Sequence, residues 1–214
     1  MRESIEFWEE VYANKKQERP IYDLWLDKFS KVLEDSKEST IIDLGCGAGN
    51  DSLYLEEKGY KVLACDQSET ALEIVKKNIP SINVLKVDIS KKLPFSDEST
   101  KIIVADLSLH YFDDKTTKKI VNELWRTLKN DGHLIFRVNS INDINYGAKQ
   151  GSEIEKHYYF SKDSFNDAFK RFFDRSDIEY YFSKWQIRYC SETSINRFGN
   201  EKKVYEVLCT KKAD

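Results

Sequence analysis

The chain has 214 residues and a formal net charge of −3, with 40% hydrophobic and 33% charged residues. This balance is typical of a folded domain with a hydrophobic core, and it excludes a disordered chain or a coiled coil as a description of the whole. The slightly acidic balance and the dispersed lysines disfavour a duplex-binding protein. Apolar runs such as residues 102–105 are far shorter than the roughly 20 residues that span a bilayer, so no membrane segment is predicted.

The first residues lack the apolar run and the small-residue cleavage site of a secretory signal, so we expect a cytoplasmic protein. Four cysteines, Cys46, Cys65, Cys190 and Cys209, are widely spaced and form no CxxC pair. Neither a zinc site nor a thioredoxin-type site is therefore predicted. We expect four reduced thiols and no metal.

Two amphipathic helices are predicted before residue 39, at residues 4–13 and 21–33. The first has an apolar side formed by Phe7, Trp8, Val11 and Tyr12, at the spacing of one helix face. Such a stripe is more often plain packing than a ligand-binding surface. We expect residues 1–38 to be N-terminal cap helices.

The middle of the chain, residues 39–140, alternates short apolar runs with helix-periodic stretches. The predicted strands are residues 40–44, 61–65, 82–87, 101–105 and 133–138, and the predicted helices are residues 51–58, 69–78 and 115–128. Such alternation implies right-handed crossovers and a mostly parallel sheet covered by helices on both faces. The predicted fold class is therefore α/β, doubly wound.

The last part of the chain, residues 141–214, follows a different pattern. A polar segment extends to residue 156, a helix is predicted at residues 162–173, and β-rich stretches follow at residues 178–186 and 203–209. The loop between them, residues 191–201, is shorter than a crossover helix, so these two strands are predicted to pair antiparallel at one sheet edge. Because no flexible linker interrupts the chain, we predict a single domain over residues 1–214.

A glycine-rich turn joins the first strand of the middle part to the next helix. Residues 41–51 read IIDLGCGAGND, with Gly45, Gly47 and Gly49 at alternating positions. Residues without a Cβ let the backbone pass very close to a ligand. The pattern is G-x-G-x-G, and Asn50 takes the place of the third glycine of the dinucleotide fingerprint G-x-G-x-x-G. A tight strand-to-helix turn without a ligand is the alternative interpretation.

Acidic residues end the next predicted strands. Asp66 follows Gly49 by 17 residues, and a carboxylate there can accept hydrogen bonds from both ribose hydroxyls of a nucleoside. Asp66 could instead cap the next helix, although Ser68 is the better candidate for that position. Asp88 is placed to accept from an adenine amino group, or it is an ordinary loop carboxylate. Asp43 could equally fix the glycine turn by bonding backbone amides.

The glycine turn, Asp66 and Asp88 together resemble the class I S-adenosylmethionine-dependent methyltransferase family, over roughly residues 38–140. The resemblance implies a Rossmann-like, seven-stranded sheet with an antiparallel C-terminal edge hairpin, similar to small stand-alone bacterial members. It also implies S-adenosyl-L-methionine as cofactor and S-adenosyl-L-homocysteine as product. The cofactor-binding residues that it implies are Asp43, Gly45, Cys46, Gly47, Gly49, Asp66, Gln67, Asp88, Ile89 and Leu107.

A candidate base, His110, follows the fourth predicted strand. Because a sulfonium is already activated, positioning of the acceptor can supply roughly 7–11 kcal/mol and a base is optional. His110 titrates near neutrality, and the alternative is a loop histidine packed on Tyr111. Residues 106–109 read DLSL and lack the Asn/Asp-Pro-Pro-Tyr/Phe turn of enzymes that methylate the amino group of adenine or the amide of glutamine.

The resemblance places acceptor-binding parts in the N-terminal helices and in residues 141–214, outside the carboxyl ends of the strands. The candidate acceptor-pocket residues are Trp8, Tyr12, Tyr111, Tyr146, His157 and Tyr158. We therefore predict methyl transfer to a small-molecule acceptor by in-line SN2 displacement, in a monomer or a homodimer, with membranes and nucleic acid disfavoured as partners. The alternatives are a non-catalytic cofactor-binding module, a nucleic-acid or protein methyltransferase, and an NAD-dependent oxidoreductase.

Overall fold

The computed structural model describes residues 4–14, 19–162, 167–197 and 199–212. The helices are α1 (Ser4–Ala13), α2 (Ser30–Glu34), α3 (Asn50–Glu57), α4 (Glu69–Asn78), α5 (Asp114–Thr127) and α6 (Arg175–Tyr181), with 3₁₀-helices at Trp25–Phe29 and Ile144–Tyr146. The strands are β1 (Ile41–Leu44), β2 (Val62–Asp66), β3 (Asn83–Lys86), β4 (Thr100–Asp106), β5 (Leu128–Asn139), β6 (Ser152–Glu155), β7 (Tyr158–Lys162), β8 (Asp167–Arg171), β9 (Gln186–Arg197) and β10 (Asn200–Thr210).

Seven of these strands form one sheet in the order β3-β2-β1-β4-β5-β10-β9. Strands β1 to β5 are parallel, whereas β10 is antiparallel to both β5 and β9. The predicted doubly wound, mostly parallel sheet with an antiparallel C-terminal edge hairpin is confirmed. The chain crosses from one side of β1 to the other between β3 and β4, and in open α/β sheets ligands bind at the carboxyl ends of the strands beside such a crossing.

Both faces of the central strand β4 are buried, because alternate residues point into two separate hydrophobic clusters. Ile103 packs in a cluster with Leu124 of α5, and Ile102 packs in the other cluster with Leu72 of α4. A side chain buried in this way stabilises the fold by about 1.5–3 kcal/mol. This two-sided burial explains why the parallel strands appear in the sequence as short, continuous apolar runs.

Helix α4 begins where the sequence predicts, at the residue after Ser68. The Ser68 hydroxyl accepts a hydrogen bond from the amide of Ala71, with 3.1 Å between Oγ and N. Leu72 and Val75 on one face are buried against the sheet. The predicted bounds of α1 and α4 agree with those of the structure.

Strand β5 begins earlier than predicted, directly after α5. Residues 130–132, which read Asn-Asp-Gly and were predicted to end the helix before the strand at residues 133–138, lie inside β5, where Asp131 has a φ of 57° and the register of β4 with β5 shifts between Thr100 and Ile102. The turn residues therefore produce an irregularity in a twelve-residue strand and do not separate a helix from a loop.

The helix predicted at residues 162–173 is wrong. Tyr158–Lys162 and Asp167–Arg171 are strands of a second, antiparallel sheet in the order β6-β7-β8, and residues 163–166 lie outside the described part of the chain. Phe160 pairs with Phe169 across the two strands, with ring centroids 4.9 Å apart. The i, i+3, i+4 spacing of Phe169, Phe172 and Phe173 is compatible with a helix, but cross-strand aromatic pairs stabilise the sheet.

The β-rich segment predicted at residues 178–186 is also wrong, because it contains most of α6. Asp174 and Asp177 form a reciprocal capping box at the start of this helix. Ile178 and Phe182, four residues apart, are buried on the sheet beside β5. The capping signal outweighs the strand propensity of the Ile and Tyr residues. Most of the loop predicted at residues 191–201 belongs to β9 and β10, which pair across a tight turn.

The predicted second helix, residues 21–33, is replaced by the 3₁₀-helix Trp25–Phe29 followed by the short α2. Asp23 forms an ion pair with Arg137, and the Trp25 indole nitrogen donates to Asp51. These contacts with the sheet hold the segment, whereas Ile21 and Leu24 remain exposed. Among the described residues, no helix is both long and apolar enough to cross a membrane.

Candidate functional site

A cleft of about 970 Å³, open to solvent, lies at the carboxyl ends of β1, β2 and β4. Nine of the ten predicted cofactor residues line it, and the tenth, Gly49, does not. Three of the six candidate acceptor residues, Trp8, Tyr12 and Tyr111, also line it. Sequence reasoning did not select eight further lining residues, namely Ala48, Asn50, Asp51, Val87, Asp106, Ser108, Phe112 and Arg197.

The glycine turn forms one wall of the cleft and leaves no room for side chains. Gly45 has a φ of 80°, and a Cβ there would lie 2.3 Å from the Cβ of Ser108. Gly47 has a φ of 54°, and a Cβ there would lie 2.5 Å from the Tyr12 hydroxyl. Both positions therefore require glycine for backbone conformation and for space. Gly49 instead packs on Val75, as the tight-turn interpretation expects.

Asp66 ties the end of β2 to the glycine turn. Its Oδ2 accepts from the amide of Gly47 at 2.9 Å, and its Oδ1 accepts from the amide of Ser68 at 3.0 Å. Burial raises the pKa of Asp66, whereas these amide hydrogen bonds oppose the shift. Ser68, not Asp66, caps α4. Backbone amides of Gly47, Ser68 and Gln67 bind the Asp66 carboxylate, whose two oxygens together offer about four acceptor positions, so it can still accept from a hydroxyl at the cleft wall.

Three more carboxylates, those of Asp43, Asp51 and Asp106, form the floor of the cleft. Burial raises the pKa of Asp43 to about 7, and its Oδ2 accepts from the Ser52 hydroxyl at 2.5 Å. Burial, followed by repulsion from Asp106 and Asp43, raises the pKa of Asp51 well above its usual range. Crowded, desolvated carboxylates favour a positively charged ligand, because a nearby cation stabilises their ionised forms.

The Arg137 guanidinium supports this floor from below. It binds Asp106 through two nitrogens, with Nε–Oδ1 and Nη2–Oδ2 distances of 2.6 and 2.8 Å. Its third nitrogen donates to Asp23 at 2.7 Å, and the guanidinium lies 4.5 Å from the centre of the Trp25 ring. Arg137 is buried and fully engaged, so its charge holds Asp106 and compensates only part of the acidic floor.

The rim near β3 carries Asp88 and Ile89. Asp88 is exposed, and its Oδ1 accepts from the amide and the hydroxyl of Ser90 at 2.9 and 2.6 Å. Such a local turn agrees with the interpretation of Asp88 as a loop carboxylate, yet the residue also lines the cleft. Cys46 lines the cleft as well, and burial raises its pKa well above the usual value, so this thiol stays protonated.

Aromatic rings from α1 and the β4–α5 loop close the opposite side. Trp8 stacks on Tyr12 with 5.9 Å between ring centroids and meets the edge of Tyr111 at 5.4 Å. The carboxylate of Glu9 fastens α1 to the start of α4, because it accepts from the Glu69 and Thr70 amides and from the Ser68 hydroxyl. Burial raises the pKa of Tyr111 to about 12, so its phenol is neutral at physiological pH.

Comparison with known proteins identifies the domain that carries this cleft. Residues 41–132 match the family model of a methyltransferase domain. YqeM of Bacillus subtilis, named as a methyltransferase, is 31% identical over 122 residues, which cover 53% of this chain and 49% of YqeM. An uncharacterized methyltransferase of Oceanobacillus iheyensis is 24% identical over 185 residues, which cover 77% of this chain and 86% of that protein. The chain therefore spans about half the length of YqeM and most of the second relative.

A solved structure of a SAM-dependent methyltransferase from Methanosarcina mazei superimposes with a TM-score of 0.71. The sequence identity is 20%, and the match covers 83% of this chain and 94% of that one, so it shows the fold. Residues 41–132 thus carry a methyltransferase domain, and the chain has the fold of a SAM-dependent methyltransferase. The methyltransferase domain and fold predicted from the glycine turn, Asp66 and Asp88 are thereby confirmed.

The residues of this methyltransferase cleft fit S-adenosylmethionine on grounds of charge and space. The cofactor carries a sulfonium and an ammonium, which suit a floor of desolvated carboxylates, among them Asp43 and Asp51. The wall at Gly45 and Gly47 has no Cβ, so a ligand can approach the backbone closely.

The structure does not place His110 on the wall of the methyltransferase cleft. The ring is buried and packs on Tyr111, with centroids 4.3 Å apart. Among the described residues its Nδ1 has no hydrogen-bond partner. Burial, followed by the charges of Lys202 and Lys170, lowers the pKa of His110 well below its usual value. The imidazole is therefore neutral at pH 7, and the packed-histidine interpretation describes its surroundings.

Three candidate acceptor residues also lie away from the cleft. The Tyr146 hydroxyl donates to the carbonyl of Arg197. His157 Nδ1 lies 2.7 Å from Asp177 Oδ2 at the start of α6. Tyr158 stacks on Phe169 with 5.6 Å between ring centroids. Tyr146 therefore connects the second 3₁₀-helix to β9, His157 connects the β6–β7 turn to α6, and Tyr158 packs within the second sheet.

Proposed function

We propose that this protein transfers the methyl group of S-adenosylmethionine to a small-molecule acceptor. The observation that carries the proposal is the pairing of a side-chain-free glycine wall with an acidic floor in one open cleft. This pairing suits a ligand that is cationic at its reactive end and lies flat against the backbone. The aromatic side of the cleft leaves room for a second molecule of modest size.

The residues that would hold the cofactor are those of three strand ends. Asp66 would accept from the sugar hydroxyls, and Asp88 with Ile89 would bind the adenine. Asp43, Asp51 and Asp106 would favour the positively charged amino-acid part. When bound, the cofactor supplies a methyl group on a sulfonium, whose carbon–sulfur bond breaks with its electron pair remaining on sulfur as the acceptor lone pair forms the new bond to carbon.

The chain's own contribution to the reaction is positioning and exclusion of water. Trp8 and Tyr111 form an aromatic wall that can hold an apolar acceptor, and Leu107 closes the end of β4. Holding two reactants in line can supply roughly 7–11 kcal/mol of the barrier. Aromatic faces also attract a nearby cation by about 0.5–2 kcal/mol. No proton-accepting role is needed for an acceptor that reacts as a neutral lone pair.

The charge of the cleft argues against a nicotinamide-dependent oxidoreductase. A dinucleotide brings a pyrophosphate that must bind near the glycine turn and the start of the following helix. Here Asp51 lies in the first turn of that helix, and Asp43 and Asp66 adjoin the turn. In their ionised forms these three carboxylates would repel a pyrophosphate, whereas they attract a sulfonium or an ammonium.

The experiment uses an equal mixture of normal and methyl-deuterated S-adenosylmethionine with an ultrafiltered metabolite extract. Transfer to a small molecule produces products that appear as isotopic doublets in mass spectrometry and are absent without protein. The Asp66→Asn variant should abolish the doublets, and Asp35→Asn, at an exposed residue far from the cleft, should retain them. Cofactor binding by calorimetry without any doublet in this extract would contradict transfer to a small molecule. Doublets found only in added RNA or protein would show that the acceptor is a macromolecule.

A further inference from the structure

Acidic and basic side chains line different parts of the cleft, and this distribution of charge bears on the chemistry of the acceptor. Five carboxylates line it, from Asp43, Asp51, Asp66, Asp88 and Asp106. Among the described lining residues, the single cation is Arg197. Arg197 is the last residue of β9 and reaches the cleft from the β9–β10 hairpin at the edge of the sheet. The residues that would hold the cofactor follow other strands, β1, β2 and β4 among them.

Arg197 belongs to the aromatic side of the cleft. It lines the cleft together with Tyr12 and Tyr111, and its positive charge opposes the rise of the pKa values of both phenols. The hydroxyl of Tyr146 donates to the Arg197 carbonyl and thereby positions the hairpin. The cation therefore adjoins the wall that is available to the acceptor.

Two further cations lie behind this wall, near His110, which packs on Tyr111 and whose carbonyl accepts from the Arg171 amide of β8. Lys170 of β8 and Lys202 of β10 act together with Arg197 on the buried ring of His110, which is next to Tyr111. Lys202 is compensated, because its Nζ lies 2.7 Å from the Asp143 carboxylate and both side chains are buried. Lys170, which is partly buried, has no ion pair with a carboxylate of the described residues. Positive charge thus collects on the side of the cleft opposite the acidic floor.

We propose that the methyl acceptor carries an anionic group, a carboxylate or a phosphate, which Arg197 binds on the aromatic side of the cleft, with Lys170 adding positive charge behind that side. This inference rests on the proposed function. A guanidinium presents paired N–H donors that match either oxyanion, and an ammonium adds a point charge. The floor carboxylates repel the same anion. Attraction at one side and repulsion at the other would orient the acceptor with its charged end at the hairpin and its uncharged end toward the cofactor.

Calorimetry on protein saturated with S-adenosylhomocysteine tests the proposal with probes matched in shape. One arm compares 4-hydroxybenzoate with 4-hydroxybenzamide, and the other compares phenyl phosphate with phenol, since an aromatic ring suits the wall of Trp8 and Tyr111. In at least one arm the anion should bind about tenfold more tightly than its neutral partner. The arm with the larger preference identifies the oxyanion.

Variants at the two cations separate a specific site from general attraction. Arg197→Gln should bring the affinity of the anion close to that of its neutral partner, and Lys170→Gln should lower that affinity by a smaller factor. Arg188→Gln serves as control, because Arg188 is exposed on the same strand and acts on His133 at the opposite end of the sheet. Equal or tighter binding of the neutral probes, absence of anion binding, or an equal effect of Arg188→Gln would overturn the proposal. If S-adenosylhomocysteine itself fails to bind, the proposed function fails first, and the two failures are thereby distinguished.

Discussion

The carboxylate of Asp66 accepts a hydrogen bond from the backbone amide of Gly47, with 2.9 Å between Oδ2 and N. This bond joins the end of β2 to the glycine turn after β1, two elements that are separated by α3 in the sequence. The residue selected for sugar binding therefore also fixes the shape of the turn. Substitution of Asp66 changes the wall as well as its charge, so the glycine turn needs tests of its own.

Gly47→Ala should weaken binding of S-adenosylhomocysteine by about tenfold or more and lower the free energy of unfolding. A Cβ in left-handed backbone costs about 1–2 kcal/mol, and displacement of the Tyr12 hydroxyl, 2.5 Å from that Cβ, costs about 1–3 kcal/mol more. Gly59→Ala is the control, because Gly59 has a φ of 83° with nothing within 4 Å of its Cβ. Denaturant unfolding and calorimetry measure both effects.

Adding Tyr12→Phe to Gly47→Ala should recover part of the lost stability. Removal of the hydroxyl leaves the ring carbon Cζ, at 3.4 Å, as the nearest Tyr12 atom to the new Cβ, which is an ordinary contact. The left-handed backbone penalty remains in the double variant. If Gly47→Ala and Gly59→Ala destabilise the protein equally, close packing of Tyr12 on the turn is contradicted.

Glu9→Gln should release α1 from α4. Although burial acts to raise the pKa of Glu9, hydrogen bonds from Thr70, Glu69 and Ser68 outweigh it and lower that pKa. A lowered pKa in the folded state stabilises docking above the usual carboxyl range, and this contribution disappears as the pH falls through the folded value. Emission from Trp8 should therefore change in acid for the parent protein, whereas Glu9→Gln should already show the changed emission at neutral pH.

The control for Glu9 is Glu6→Gln, at an exposed residue one turn earlier in the same helix. This variant should keep the parent emission and the parent dissociation rate of S-adenosylhomocysteine. Loss of a helix-capping acceptor is worth about 0.5–2 kcal/mol, so the dissociation rate of Glu9→Gln should rise about 2- to 30-fold. Identical behaviour of both variants would show that Glu9 does not fasten α1.

Affinity for S-adenosylmethionine should rise with pH through the titration of Asp43. The pKa of Asp43 is raised to about 7, so the free folded protein carries a proton there that the unfolded chain has lost. Its contribution to stability therefore falls as the pH rises through about 7. A cationic ligand favours the carboxylate, so binding at about pH 6 should release a proton, which calorimetry in buffers of different ionisation enthalpy detects.

The matched variant for this test is Asp43→Asn, whose amide oxygen can still accept from Ser52. Its affinity should be lower and nearly independent of pH. S-adenosylhomocysteine, which lacks the sulfonium charge, should show a smaller pH dependence in the parent protein. The same proton release in Asp43→Asn as in the parent would rule out Asp43 as the titrating group.

Arg171→Met should lower the free energy of unfolding by about 2–4 kcal/mol. The buried guanidinium donates to the carbonyls of Phe112 and Lys156 and to the carboxylate of Glu155, and its removal takes one donor from each of these acceptors. Arg175→Met is the control, because Arg175 is exposed and binds only Glu179 one turn away in α6 and a backbone carbonyl. Urea denaturation of both variants should separate them, and equal losses would disprove a structural role for Arg171.

The parallel core could be predicted from sequence because its signals are local and agree with one another. The helix at Glu69–Asn78 combines a serine cap with a single apolar face, and the strand Val62–Asp66 is a continuous apolar run. The glycine spacing then identified the turn itself. Aromatic-rich residues 158–173 lack such agreement, because their spacing is compatible with a helix and with paired strands.

The rest of the site depends on contacts between distant segments. His110 is buried because the Arg171 amide donates to its carbonyl, which brings β8 against the β4–α5 loop. Asp51 had a local signal, its place in the first turn after the glycine turn, but its raised pKa depends on burial and on repulsion from Asp106, and Trp25 donates to it from a distant segment. Arg197 reaches the cleft only because the β9–β10 hairpin is long and pairs beside β5. Sequence periodicity reports none of these distances.

A crystal structure of the protein with S-adenosylhomocysteine tests the cofactor assignment most directly. Electron density for the nucleoside should lie against Asp66 and Asp88, with the amino group of the ligand within hydrogen-bond distance of the glycine turn or the acidic floor. Density outside this cleft, or a sugar that makes no contact with the Asp66 carboxylate, would contradict the central claim.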